Sequence, residues 1–167
     1  MICLMSYPDA IYDGDSGEVS ATLRPGSTPP DLTYPNGTTV DYLATSGTTD
    51  GRFGLYRWNM APGPGGAPLH FHRTFSESFF VLSGTVTLAD GERELSAGSG
   101  DYLYVPPGGL HGFANNTEEA ASMLILFSPG APREAYFEGL LELRTGKKMT
   151  QEELDAFFVA HDNIYVE

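Results

Sequence analysis

Short runs rich in β-branched and aromatic residues alternate along this chain with clusters of glycine, proline, aspartate and serine. From Thr39 the rhythm is regular and predicts strands at 39–45 (TVDYLAT), 53–60 (FGLYRWNM), 68–72 (PLHFH), 76–83 (SESFFVLS), 85–89 (TVTLA), 92–95 (EREL), 101–105 (DYLYV), 111–115 (HGFAN) and 121–128 (ASMLILFS). Turn chemistry joins them: Asp50-Gly51, Asp90-Gly91, and the glycine- and proline-rich stretches 98–100 and 106–109. Many short strands at even spacing predict an all-β barrel or sandwich. Upstream, residues 6–38 hold no sustained period and read as an irregular arm with one or two short strands at most. Downstream the period changes to that of a helix. Pro132 fits a first turn, Tyr136, Leu140 and Leu143 share one side, and Gly146 ends the run. Thr150 and Glu153 form a capping box that opens a second helix over 151–161. The chain therefore divides into an arm (1–38), a barrel (39–128) and a helical extension (129–167).

Two strands are apolar on both sides: Phe80 and Leu82 oppose Phe79 and Val81, and MLILF at 123–127 is apolar throughout. An outward face carrying Phe80, Leu82, Leu124 and Leu126 needs cover. The C-terminal helices, with Tyr136, Leu140, Leu143, Leu154, Phe157 and Phe158, are expected to supply part of it, and a homodimer the remainder.

With 167 residues the chain has length for one sizeable core. Its net charge of −13 repels phosphates and anionic headgroups, which argues against nucleic-acid and membrane-surface binding. No apolar run approaches the ~20 residues of a membrane span. The opening MICLMSYPDA has neither the basic region nor the apolar length of a signal peptide, and Cys3 has no partner for a disulfide. A cytoplasmic protein is expected, with Met5 an alternative start; the sequons at Asn36 and Asn115 are discounted on the same ground.

Chemistry concentrates in three of the four histidines. His70 and His72, at i and i+2 on a strand, present both rings to one face, about 6.5–7 Å apart at Cα and within reach of one ion. Glu77 follows a four-residue RTFS turn, and a hairpin there would bring its carboxylate to the same ion. His111 would arrive from elsewhere in a closed sheet. Three imidazoles and a carboxylate suit Fe(II), Mn(II), Ni(II), Cu(II) or Zn(II). Tyr56, Trp58 and Met60 form a one-face stripe suited to packing, and His161 sits at a helix end where a contact with the helix dipole is expected.

The run His70-x-His72-x4-Glu77-x6-Gly84 resembles the first motif of the cupin superfamily, with Pro64 where that motif opens on glycine. The second motif is matched in full by Gly100, Pro106, Gly108, His111 and Asn115, after an intermotif gap of residues 85–99 typical of small bacterial members. The resemblance covers roughly 63–115. It implies a double-stranded β-helix (cupin, jelly-roll) barrel with His70, His72, Glu77 and His111 pointing inward onto one divalent transition metal, and with Asn115 structural. Phe79 and Val81 share the parity of Glu77, and Phe113 that of His111, so all three are expected in the cavity wall, as core or substrate contacts.

Similar cupins include dioxygenases such as single-domain quercetinases, non-redox isomerases and cyclases, and binding proteins without turnover. The expectation drawn from them is a metal-dependent enzyme on a small organic substrate, aromatic ones included, with a dioxygenase first. Glu77 is then the candidate general base. A non-redox isomerase or cyclase and a small-molecule-binding module are the alternatives.

Overall fold

The periodic runs fold as β1 (Leu32–Thr33), β2 (Thr39–Ala44), β3 (Gly54–Met60), β4 (Gly66–Phe71), β5 (Ser76–Ser83), β6 (Val86–Ala89), β7 (Glu94–Ala97), β8 (Tyr102–Val105), β9 (His111–Ala114) and β10 (Ala121–Ser128). They are followed by α1 (Arg133–Arg144), α2 (Gln151–Ala160) and a last short strand, β11 (Ile164–Tyr165). The structure, a computed structural model, describes residues 7–166; Cys3 and the alternative start Met5 lie outside the described residues. All strand pairs are antiparallel and form two sheets, ordered β1-β2-β3-β10-β5-β8 and β11-β4-β9-β6-β7. This is an all-β double-stranded β-helix with an irregular N-terminal arm and two C-terminal helices.

Alternation decides what lies between the sheets. Along β3, Gly54, Tyr56, Trp58 and Met60 are buried while Leu55, Arg57 and Asn59 are half-buried, and along β10 Ala121, Met123, Ile125 and Phe127 are the buried set. Rings from the two sheets meet in the middle, Trp58 edge to face on Phe113 at 5.8 Å and Phe79 tilted on Phe113 at 5.7 Å between centroids. Asn115 is fully buried; its amide donates to the carbonyls of Ala61 and Glu119 and its oxygen accepts from Thr117, which makes it a structural clip.

Four expectations change. The strand expected at 92–95 forms at Glu94–Ala97, because the Asp90 carboxylate accepts the N–H groups of Glu92 and Arg93 and draws those residues into the turn. No hairpin joins the His70 and Glu77 strands: β4 pairs with β9 and β11, whereas β5 pairs with β10 and β8, so residues 72–75 cross between sheets. The helices do not cover the outer face. Phe137 of α1 packs on the inward residues Tyr56 (5.2 Å) and Trp58 (5.3 Å), and α2 joins through Phe157, stacked on Tyr136 at 5.6 Å, so Phe80 and Leu82 stay exposed. His161 caps α2 not as a dipole-facing cation but as a ring against Tyr136 and Phe157, where burial and the Arg133 charge lower its pKa and keep it neutral. The capping box at Thr150 and Glu153 forms as expected. No helix among the described residues is long and apolar enough to cross a membrane.

Candidate metal centre

His70 lies near the end of β4, His72 just beyond it, Glu77 second in β5 and His111 first in β9. Spacing i, i+2 turns both β4 imidazoles inward, with ring centroids 4.8 Å apart. An irregularity then sets the register. Between Ala67 and His70, β4 carries one residue more than β9 does between Phe113 and His111, and the bulge places His70 directly opposite His111, rings 4.3 Å apart. Pro68, which has no N–H to give a ladder, sits in that bulge. Gly66 allows the close approach at the start of β4, since a Cβ there would stand 1.9 Å from the Phe113 carbonyl oxygen. Glu77 reaches the group from the opposite sheet, and one donor atom from each of the four residues lies within 4.8 Å of every other. All four are buried.

Main-chain carbonyls fix the rings. Nδ1 lies 2.8 Å from the Pro68 oxygen in His70, 2.5 Å from the Asp162 oxygen in His72 and 2.9 Å from the Gly109 oxygen in His111. A carbonyl only accepts, so each Nδ1 carries a proton, and a ring with no second proton presents its Nε2 lone pair to the centre. Nε2 of His72 and of His111 stand 2.9 and 2.8 Å from Glu77 Oε2. Lone pairs set against a carboxylate repel unless a cation lies between them, either a proton on an imidazole or a metal ion.

The titration behaviour follows. Burial works to raise the Glu77 carboxyl, but hydrogen bonds from His111 and His72 outweigh it and hold the group well below the usual carboxylate range. Burial likewise works to lower His111, yet its bond to Glu77 and that charge raise it. His70, buried and next to His111, is pushed down to about 4. Three oriented Nε2 atoms and one ionised carboxylate fit a divalent transition metal, held in orientation by the backbone carbonyls behind the rings.

Beside this cluster opens a cavity of about 630 Å³ whose wall includes His70, Glu77, Trp58, Phe113, Tyr136 and Phe137. Of the three residues expected in the wall, Phe113 is there. Phe79 and Val81, at 0% exposure, lie in the core, Phe79 packing behind the ring of His111 at 5.9 Å. The C-terminal segment brings residues that the sequence reading passed over. Asp162 accepts from the backbone of Arg73 and Thr74 and from the Thr74 hydroxyl, β11 pairs Tyr165 with His70, and buried Arg133 donates to the His161 carbonyl and to Asn163 Oδ1. The one signal in the sequence for these was an arginine opening a helix that carries Tyr136 and Phe137.

Comparisons with known proteins agree with this fold. Residues 56–127 match the cupin domain family. Among solved structures, KdgF from a Halomonas species is 16% identical, with a TM-score of 0.56 over 66% of this chain and 96% of its own. An RmlC-like cupin from Shewanella frigidimarina is 20% identical, with a TM-score of 0.56 over 70% of this chain and 96% of its own. The polyketide cyclase RemF from Streptomyces resistomycificus is 25% identical, with a TM-score of 0.55 over 67% of this chain and 82% of its own. Among curated proteins none matches the chain.

Proposed function

Residues 56–127 carry a cupin domain, and from that premise we propose that the chain is a metal-dependent enzyme acting on a small, flat organic substrate. The observation that carries the reading is the convergence of three backbone-oriented imidazoles and Glu77 beside an aromatic-lined cavity. His70, His72, Glu77 and His111 would hold one divalent ion drawn from Fe, Mn, Ni, Cu or Zn, which supplies Lewis acidity and, where redox-active, a route for electrons to O2. Phe113 and the rings around it would hold the body of the substrate and keep water away from the ion, with Phe79 and Val81 supporting them from behind. Glu77 Oε2 would be the acceptor for a substrate proton, and three imidazoles would be enough to hold an ion without it.

Dioxygenation is the leading chemistry, since this donor set suits the redox-active ions. A non-redox cyclisation is the second reading, favoured by the 25% identity with RemF, described as a polyketide cyclase. Incubation of Fe-, Mn-, Ni-, Cu- and Zn-loaded protein with aromatic polyketide and flavonol panels in an oxygen electrode separates them. Stoichiometric O2 uptake supports the dioxygenase, product under nitrogen supports the cyclase, and no turnover with any ion overturns the enzyme reading.

A further inference from the structure

A guanidinium stands in the wall of this cavity with no carboxylate of the described residues in contact with it. Arg133 is 3% exposed, and its side chain has no carboxylate oxygen within 4.0 Å among the described residues. Nη1 and Nη2 each donate to a neutral acceptor, the His161 carbonyl and the Asn163 amide oxygen, both at 2.7 Å. Nε has no partner. The cation is packed instead against ring faces, 4.2 Å from the Tyr136 centroid and 5.1 Å from that of Phe127, both also cavity walls. Aromatic faces offset a part of the cost of burying a charge, and an anion offsets more.

A second orphan donor shares the wall. Trp58 Nε1 is buried with no acceptor among the described residues, and its indole meets Phe137 edge to face, the ring that Arg133 also approaches at 5.6 Å. The lining thus offers donors in excess. Its charged residues are Arg133, Arg144 and Glu77, the last committed to the histidine cluster, in a chain whose net charge is −13. A surface so acidic repels anions generally, so a positive interior is a selective feature.

We infer that the cavity takes an organic anion, a flat aromatic or unsaturated body bearing a carboxylate or enolate oxygen, with Arg133 as its counter-charge and Trp58 Nε1 as a further donor. This deepens the reading above and rests on the cavity being the substrate's place. Arg133, on α1, would orient the anionic end while the reacting end faces His70 and Glu77, so substrate choice would belong to the C-terminal helices and the chemistry to the barrel.

Benzoate and benzamide, alike in shape and different in charge, test it. Trp58 is the chain's one tryptophan, so its fluorescence reports entry of either probe. In chelator-treated protein, benzoate is expected to bind about tenfold or more tighter than benzamide, the worth of one charge-assisted hydrogen bond. Arg133→Gln should bring the ratio near one, whereas Lys148→Gln, an exposed cation outside the cavity lining, should leave it unchanged. Equal affinities in the wild type, no saturable benzoate binding, a ratio that survives Arg133→Gln, or one that collapses in Lys148→Gln would each overturn the assignment. If Arg133→Gln does not fold by circular dichroism, the wild-type ratio and Lys148→Gln decide. Repeating the titration with the Zn(II)-loaded protein separates the two readings. A preference present only with zinc puts the anion on the metal and overturns the Arg133 inference alone; a preference in a chain that takes up no metal upholds it while the metal reading fails.

Discussion

Each imidazole of the centre gives its Nδ1 proton to a main-chain oxygen, so the free lone pairs are set by the backbone path at Pro68, Gly109 and Asp162 before any ion arrives. Such preorganisation makes each ring matter separately. Alanine at His72 or at His111 is therefore expected to cut metal content well below that of the wild type in elemental analysis, and equal occupancy in all three proteins would contradict the assignment. Acid should act in the same direction. A histidine ligates only when neutral, and His70, pushed down to about 4, resists protonation below its ordinary value near 6.5. His111, whose pKa is raised by Glu77, gains a proton earlier unless an ion displaces it. Protons and ion thus compete for one set of lone pairs, and bound metal should be complete at neutral pH and lost progressively as pH falls below the histidine range. A full equivalent retained through dialysis at pH 3 would refute the ligand set.

Elements place these residues, and they differ in how plainly the sequence announces them. The strand of Glu77 was readable to the residue, 76–83, because turns flank a run of β-formers; His70 and His72 were readable because ligand types recur at strand spacing, and His111 through the resemblance to the second cupin motif. The partner of that strand was not. Proximity in sequence favoured a hairpin at residues 73–76, but both faces of β5 are apolar and it pairs inside the other sheet, which single-strand periodicity does not encode. The β4 bulge escaped for a similar reason, being a property of two strands together. β11 is two residues long, too short for any period, and it is held by side-chain bonds instead. Asp162 supplies most of these, at a positive φ of 54° that aspartate and asparagine tolerate. Burial works to raise its pKa, but the bonds from Thr74 and Arg73 outweigh it and lower it. A carboxyl depressed in the folded state stabilises above its unfolded value near 3.9, and that contribution is lost as pH falls through its lowered folded value. Asp162→Asn, which keeps the backbone shape, is expected to lower the melting temperature at pH 7 and to close on the wild type as pH falls through that value; a difference that stays constant across the acid range would remove the charge from the explanation. At the other end of β4, Gly66→Ala should destabilise by roughly 1–3 kcal/mol in denaturant melts, because its Cβ meets the Phe113 carbonyl and the strand must shift. Unchanged stability would mean that β4 has slack at that point.

At the scale of the molecule, the helices spend their apolar side chains on the mouth of the barrel, and this leaves an outer face unserved. Phe80 and Leu82 of β5 are 40% and 37% exposed, and Tyr102 and Tyr104 of the neighbouring β8 are 61% and 55% exposed. Phe80 stands opposite Tyr102 in the ladder, so these side chains form one continuous apolar and aromatic stripe. β8 also ends its sheet, with one row of backbone groups unpaired. An edge strand with large rings beside it is a surface on which a second copy can sit, and a two-fold axis would set the stripe against itself. Homodimerisation through β5 and β8 is the expected outcome, with light scattering near 36 kDa, twice the 18.0 kDa of the chain. The double variant Phe80→Ser and Tyr102→Ser should return the mass to that of one chain without lowering its metal content, since neither side chain faces the histidines. A wild-type mass of one chain at high micromolar concentration would refute the dimer, and a variant that stays at twice that mass would place the contact on another face.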